Sequence, residues 1–151
     1  IDGQCGKKGC LETEAAGSAF YRIVRERLAG GEASTLERDA NGDFTLKDLI
    51  EATNNEDWLC IDVVESIGLK LGQHIAGLIN IFNPEAVIIG GSLMMAGESY
   101  IQSVKLAARR YTLRLLLKDV EIIPSRLAEK AGLLGGCLEA REDYLVKRVL
   151  D

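Results

Sequence analysis

The sequence predicts a helix-rich α/β domain. Three observations lead there: a long apolar stripe of helical period from about Glu56 to Phe82, two short β-prone runs at Ala86–Ile89 and Val120–Ile123, and helical patterns before, between and after those runs. With 151 residues, the chain fits one compact domain or a piece of a larger one.

The first helix follows a Gly- and Cys-rich opening. Ala16, Ala19, Phe20, Ile23, Val24 and Leu28 keep the i, i+3, i+4 rhythm, and Gly30-Gly31 supplies a stop. A polar stretch over residues 32–44 contains the turn dipeptide Asn41-Gly42. Thr45-Leu46-Lys47-Asp48 then offers a capping-box-like start for a short helix through Leu49 and Ile50, ended by Asn54-Asn55.

The long helix carries Cys60, Val63, Val64, Ile67, Leu71, Ile75, Leu78 and Ile81 as one buried stripe. Gly68 and Gly72, one turn apart inside it, each cost up to about 1 kcal/mol of helix propensity, which predicts the close approach of another backbone. Asn83-Pro84 stops the helix, because the residue before proline avoids the α conformation.

Ala86–Ile89 reads as a buried strand ending at Gly90-Gly91. A helix is expected from about Glu98 to Leu116 with Ile101, Val104, Ala108 and Tyr111 inward, then a strand at Val120–Ile123 closed by Pro124. The small, glycine-rich segment Ala128–Gly136 leads into a last helix carrying Leu138, Tyr144, Leu145 and Val149. Two strands make a poor sheet alone, so further strands are expected upstream.

Eighteen basic against 23 acidic residues leave a net charge of −5, and DNA affinity rests on neutralising phosphates with Lys and Arg. This segment by itself is therefore not expected to grip DNA. No apolar run is long enough to span a bilayer, and no signal-peptide pattern precedes the first helix, so a cytoplasmic protein is expected. The cysteines form one close pair and two isolated positions, Cys60 and Cys137, that fit a core; such usage suits a reducing compartment.

The opening also carries chemistry. In Cys5-Gly6-Lys7-Lys8-Gly9-Cys10, glycines flank two bases and allow a turn that brings both sulfurs toward one point, as tetrahedral zinc requires, although a structural zinc takes four ligands. Glu12 follows at the start of a helix, where an acid also simply favours the helix dipole. Gly90 and Gly91, between strand and helix, permit backbone N–H groups to approach a nucleotide or merely turn the chain. His74 has no ligand or acid partner around it and reads as structural, and Arg109-Arg110 as a solvated helix face.

Cys5-Gly6-x-x-Gly9-Cys10-Leu11-Glu12-Thr13 resembles the signature Cys-x-Cys-Gly-x-x-Gly-Cys-x-Glu of the ROK family of bacterial sugar-responsive repressors and sugar kinases. The resemblance continues through Asn80–Gly91, Ala96-Gly97-Glu98, Arg109-Arg110-Tyr111 and Ser125–Gly136, with Ala128 in place of a glycine. It implies the C-terminal lobe of the actin-like, ribonuclease H-like ATPase fold over residues 1–151, with an N-terminal lobe and any winged-helix domain preceding Ile1.

By that resemblance Cys5 and Cys10 are ligands of a structural zinc, and Glu12 hydrogen-bonds sugar hydroxyls. Gly3 stands where the signature has its first cysteine, and the family's upstream histidine ligand would lie before Ile1. Gly90 and Gly91 would contribute to an ATP cleft in a kinase, whose loop commonly has a third glycine where this chain has Ser92. The family's catalytic Asp, phosphate loop and second sugar motif would also precede Ile1, so no catalytic residue is assigned here. Neither kinase activity nor specific DNA binding is expected of this chain alone.

The polar and helical stretch between the Glu12 helix and the long helix, and the wording Leu11-Glu12-Thr13, resemble the repressor branch more than the glucokinase branch. The expected function is thus a sugar-sensing effector domain, answering to a sugar or sugar phosphate and acting on DNA through a preceding domain, in a homo-oligomer. The alternatives are the C-terminal lobe of a sugar kinase using ATP and magnesium, and an oligomerisation lobe with a degenerate sugar site, suggested by Gly3 and Ser92.

Overall fold

A computed structural model describes residues 6–118, 120–127, 130–142 and 144. The helices are α1 (Glu12–Ala15), α2 (Gly17–Ala29), α3 (Leu46–Asn54), α4 (Trp58–Phe82), α5 (Glu98–Tyr111) and α6 (Ala131–Arg141). The strands are β1 (Ala86–Ile89) and β2 (Glu121–Pro124), with a 3-10 turn at Ser92–Ala96. The strands pair in parallel, Ala86 opposite Glu121 and Ile89 opposite Pro124. This is the expected helix-rich α/β arrangement, and no described helix is long and apolar enough to cross a membrane.

The core is built around α4. Leu59, Cys60, Val63, Val64, Ile67, Ile75 and Ile79 are buried, with Ala19, Phe20 and Val24 of α2, Leu49 of α3, and Ile101, Val104 and Ala108 of α5. The glycines on α4 are sites of close approach, as their helix cost predicts. A Cβ at Gly72 would lie 2.2 Å from the Val104 carbonyl oxygen and 2.8 Å from the Ala107 Cβ, and one at Gly68 would lie 2.8 Å from the Tyr100 carbonyl oxygen.

The buried stripe runs differently from the expectation at its end. Leu78 is 53% and Ile81 73% exposed, because the face meeting α5 passes through Gly72, Ile75, Ala76 and Ile79 instead. α5 also stops earlier, at Tyr111, and Tyr111 itself is half exposed. Asn80 provides the reason: its side chain donates to the Tyr111 carbonyl at 3.1 Å and accepts from the Leu113 N–H at 2.9 Å, turning the chain away.

Thr45 and Asp48 form the capping box at α3, side chain to backbone in both directions. Beyond Asn55, Glu56 takes a left-handed φ of 63°. Its N–H donates to Thr53 at 3.2 Å and that of Asp57 to Ala52 at 2.9 Å, the Schellman pattern that satisfies a helix's last carbonyls. Asp57 then caps α4, its carboxylate accepting from Cys60 N–H at 2.9 Å. The same carboxylate accepts from the Ser34 hydroxyl at 2.8 Å, the Thr35 hydroxyl at 2.9 Å and the Thr35 N–H. Asp57 is only 2% exposed. Burial alone would raise its pKa, but the donors from Cys60, Thr35 and Ser34 outweigh burial and hold it down to about 2.

β1 was expected to be buried throughout, yet only Ile89 is; Ile88 is 68% exposed, because the described residues cover one face of a two-stranded sheet. Cys60 lies in the core as expected, where burial and the neighbouring Asp57 push its thiol well above the usual range. Cys137, also expected in a core, is exposed on α6, a helix without a buried residue among those described. α6 incorporates Gly132, Gly135 and Gly136 instead of following them. Leu145, Val149 and Ala128 fall outside the described residues.

Two sets of variants check this framework by urea unfolding. Gly72→Ala drives a methyl into the α5 backbone and should destabilise the protein by about 1–3 kcal/mol, whereas Gly77→Ala, with nothing within 4 Å of its Cβ, should stabilise by up to about 1 kcal/mol. Asp57→Ala removes a cap and strands buried donors, a loss of about 1–3 kcal/mol. Because the folded pKa of Asp57 lies below its unfolded value, its contribution is complete above about pH 4 and fades as pH falls toward 2. The wild type should therefore lose more stability across that window than Asp57→Ala does.

Candidate functional site

Gly6 and Gly9 adopt positive φ, 76° and 72°, and fold the opening into the expected turn. Within it the Cys10 thiol lies 3.9 Å from the Lys7 carbonyl oxygen. Cys5 and Gly3 lie outside the described residues, and so does the separation of the two sulfurs. Among the described residues no three His, Cys, Asp or Glu side chains converge on a metal position. They supply one thiol, that of Cys10, to the turn, which falls short of the closed four-ligand site of a structural zinc.

The turn runs into α1, a single helical turn that begins at Glu12. The Thr13 hydroxyl donates back to the Cys10 carbonyl at 2.7 Å, and the Glu14 and Ala15 N–H groups donate to the Leu11 carbonyl at 3.0 and 2.8 Å. Ala15 is buried, and Glu14 reaches Lys70 of α4 in an ion pair of 3.3 Å. Ala16 is extended, φ −106° and ψ 174°, so α1 breaks from α2 where the periodicity alone suggests one continuous helix. Arg22 of α2 spans the break, donating to the Thr13 carbonyl at 3.2 Å while holding both carboxylate oxygens of Glu26 at 3.0 and 3.1 Å.

Glu12 itself is exposed and has no hydrogen-bond or ion-pair partner among the described residues. A carboxylate so placed is a free double acceptor on a short helical turn. It lines neither the cleft between α5 and β2 nor the one beside α3.

Gly90 and Gly91 lie elsewhere, at the end of β1. Gly91 has φ 104° and ψ 171°, a conformation that only glycine adopts without strain, and the 3-10 turn Ser92–Ala96 begins at once after it. Asn54 at the end of α3 donates to the Met95 carbonyl at 3.0 Å and so ties that turn to the helix. Beside it lies a largely apolar cleft of about 590 Å³, lined by Leu46, Lys47, Ile50, Glu51, Asn54, Ser92 and Met95. No hydrogen bond joins Gly91 to Glu12 among the described residues, and Glu12 does not line this cleft.

His74 is exposed on α4, a ring nitrogen 2.9 Å from the Lys70 carbonyl. Arg109 and Arg110 are exposed at the C-terminal end of α5, where cations favour the helix dipole. Sequence reasoning did not single out Asp57 or Arg22, and read Asn54 only as a helix end. Asp57 was detectable, as an acid just before an apolar helical pattern. Arg22 and Glu26 are an i, i+4 pair that the sequence shows, but the Thr13 carbonyl met by Arg22 and the Met95 carbonyl met by Asn54 lie on other elements and leave no local signal.

The ROK family sequence pattern matches residues 1–142. The chain belongs to the ROK family. Its relatives include a glucokinase of Halalkalibacterium halodurans, 35% identical over 87% of this chain and 41% of that protein. The N-acetylglucosamine repressor of Escherichia coli O157:H7 is 31% identical over 85% of this chain and 31% of its own length. Among solved structures, a ROK family transcriptional regulator, a homologue of the E. coli MLC protein, superposes with a TM-score of 0.76 at 33% identity, covering 87% of this chain and 33% of that one. A ROK glucokinase from Streptomyces griseus, in complex with glucose and AMPPNP, superposes with a TM-score of 0.77 at 27% identity, covering 91% and 46%. The fold is thus the actin-like ATPase fold of ROK proteins, and the chain spans less than half the length of these relatives. Both repressors and sugar kinases share it.

Gly91→Ala should cost about 1–3 kcal/mol in thermal unfolding, because alanine is strained at its φ and ψ. Gly90→Ala meets nothing nearer than the Ser125 Cβ at 3.6 Å and should change stability far less.

Proposed function

We propose that this chain is the sugar-responsive lobe of a ROK transcriptional regulator, in which Glu12 accepts hydrogen bonds from sugar hydroxyls. The observation that carries the reading is the placement of Glu12: exposed, unpartnered among the described residues, and set immediately after a glycine-hinged turn, on a helical turn whose Glu14 pairs with Lys70 of α4. A buried or ion-paired acid would have little left to offer a neutral sugar. The remaining contacts to the sugar would come from the rest of a protein more than twice this length, as in the relatives.

The regulator branch is proposed on the wording Leu11-Glu12-Thr13 and on the polar segment between the Glu12 helix and α4, both of which resemble the family's repressors. In the fold that segment is organised, with Ser34 and Thr35 fastened to Asp57 and α3 capped at Thr45. A sugar that regulates must bind one conformation better than another, by a margin equal to the shift it causes. Release from DNA would follow through a DNA-binding domain outside this chain.

A second reading, a sugar kinase, is favoured by the Gly91 conformation beside an apolar cleft and by the glucokinase at 35% identity. In that case Gly90 and Gly91 would border the nucleotide, and ATP with magnesium would supply the phosphoryl group. Zinc at Cys10 stays a proposal that depends on ligands beyond the described residues.

Calorimetric titration of the intact protein with glucose, N-acetylglucosamine and xylose separates the readings. Binding of one sugar, with Glu12→Gln weakening it about 10- to 100-fold as expected for hydrogen bonds to a charged group, supports the site. Sugar-dependent loss of DNA affinity supports the regulator, and turnover of ATP with that sugar supports the kinase. Unchanged affinity in Glu12→Gln would overturn the role of Glu12.

A further inference from the structure

α1 is too short to hold itself. A single helical turn fixes several backbone dihedrals for very few hydrogen bonds, so an isolated four-residue helix is unstable in water. It has no side-chain cap at its start, and at its end the extended Ala16 carries the Gly17 N–H away from the Thr13 carbonyl it would meet in a continuous helix. Arg22 takes the place of that missing donor, 3.2 Å from the Thr13 oxygen. A cation at a helix C-terminus also complements the partial negative charge there.

Arg22 does not reach across freely. Its Nη1 contacts both oxygens of Glu26 one turn further along α2, so one side of the guanidinium is pinned to α2 and the other to α1. The planar fork makes both contacts at once, which the point charge of lysine does not reproduce. The remaining tie of a charged α1 side chain is Glu14 to Lys70, an ion pair between two half-exposed side chains, and such pairs hold geometry weakly.

We propose that Arg22 is the positioning residue for Glu12: braced by Glu26, it fixes the angle at which the Glu12 turn leaves α2 and thereby aims the carboxylate. This rests on the reading of Glu12 as a sugar ligand, and the test separates the two.

Hydrogen exchange in the intact protein reads the brace directly. Arg22→Ala should speed exchange at the Glu14 and Ala15 amides without changing the middle of α2; exchange at the wild-type rate would overturn the brace, whether or not any sugar binds. Titration with whichever of glucose, N-acetylglucosamine or xylose binds the wild type reads the aim. Arg22→Ala should weaken binding about 10-fold, the usual effect of losing a residue that orients a ligand group, with Arg22→Lys in between. On a Glu12→Gln background, Arg22→Ala should add nothing, because it acts only through that carboxylate. An equal further loss on that background would mean general destabilisation and would sink the proposal. Full affinity in Glu12→Gln would instead sink the sugar reading, and loss in Glu12→Gln with none in Arg22→Ala would sink the brace alone.

Discussion

At Gly72 the backbones of α4 and α5 come so close that a single methyl group would overlap the Val104 carbonyl oxygen. Two glycines one turn apart weaken α4 as an isolated helix, and the contact with α5 offsets that cost through dispersion between closely packed backbones. Much else depends on this approach. With α5 seated on α4, Asn80 can reach the Tyr111 carbonyl and end α5, and the chain can return to lay β2 beside β1. The α4 face opposite α5 is then left for α1, α2 and α3, which is where the candidate sugar residue is carried.

The second anchor is Asp57. One buried carboxylate caps α4 and gathers Ser34 and Thr35 from a segment more than twenty residues upstream. A charge so deeply buried is tolerated because its oxygens are met by several donors, and the same donors keep it ionised. The polar segment between Gly31 and Phe44 has few apolar residues of its own. Leu36 and Phe44 enter the core, and Asp57 fastens Ser34 and Thr35, just before Leu36, to the helix.

The candidate site follows a different principle from the core. Glu12 itself is exposed, on one turn of helix that buries only Ala15 and is otherwise steadied by hydrogen bonds and one ion pair. Elements with few buried contacts move most readily, which suits a part that must answer to a ligand. The other functional candidate, Gly91, lies between the paired strand β1 and the turn that Asn54 ties to α3, so the two belong to separately supported parts of the lobe. Membership of the ROK family accounts for both being present, since its sugar kinases and its regulators share one fold.

Local chemistry was enough to place the main helices and both strands. Helical periodicity marks α2, α4 and α5, the Thr45 to Asp48 spacing marks the cap of α3, Asn83-Pro84 marks the end of α4, and the pair Gly68 and Gly72 announces a close backbone. The Cys5 to Thr13 motif likewise named the family and nominated Glu12. Tertiary structure alone decided the rest. Where α5 stops depends on an asparagine more than thirty residues away, and the exposure of Leu78 and Ile81 depends on which face α5 selects. The hydrogen bond that spans the break at Ala16 comes from an arginine that no local pattern connects to Thr13. Periodicity reports which residues prefer burial, but partners distant in the chain determine which of them are covered and where a short helix points.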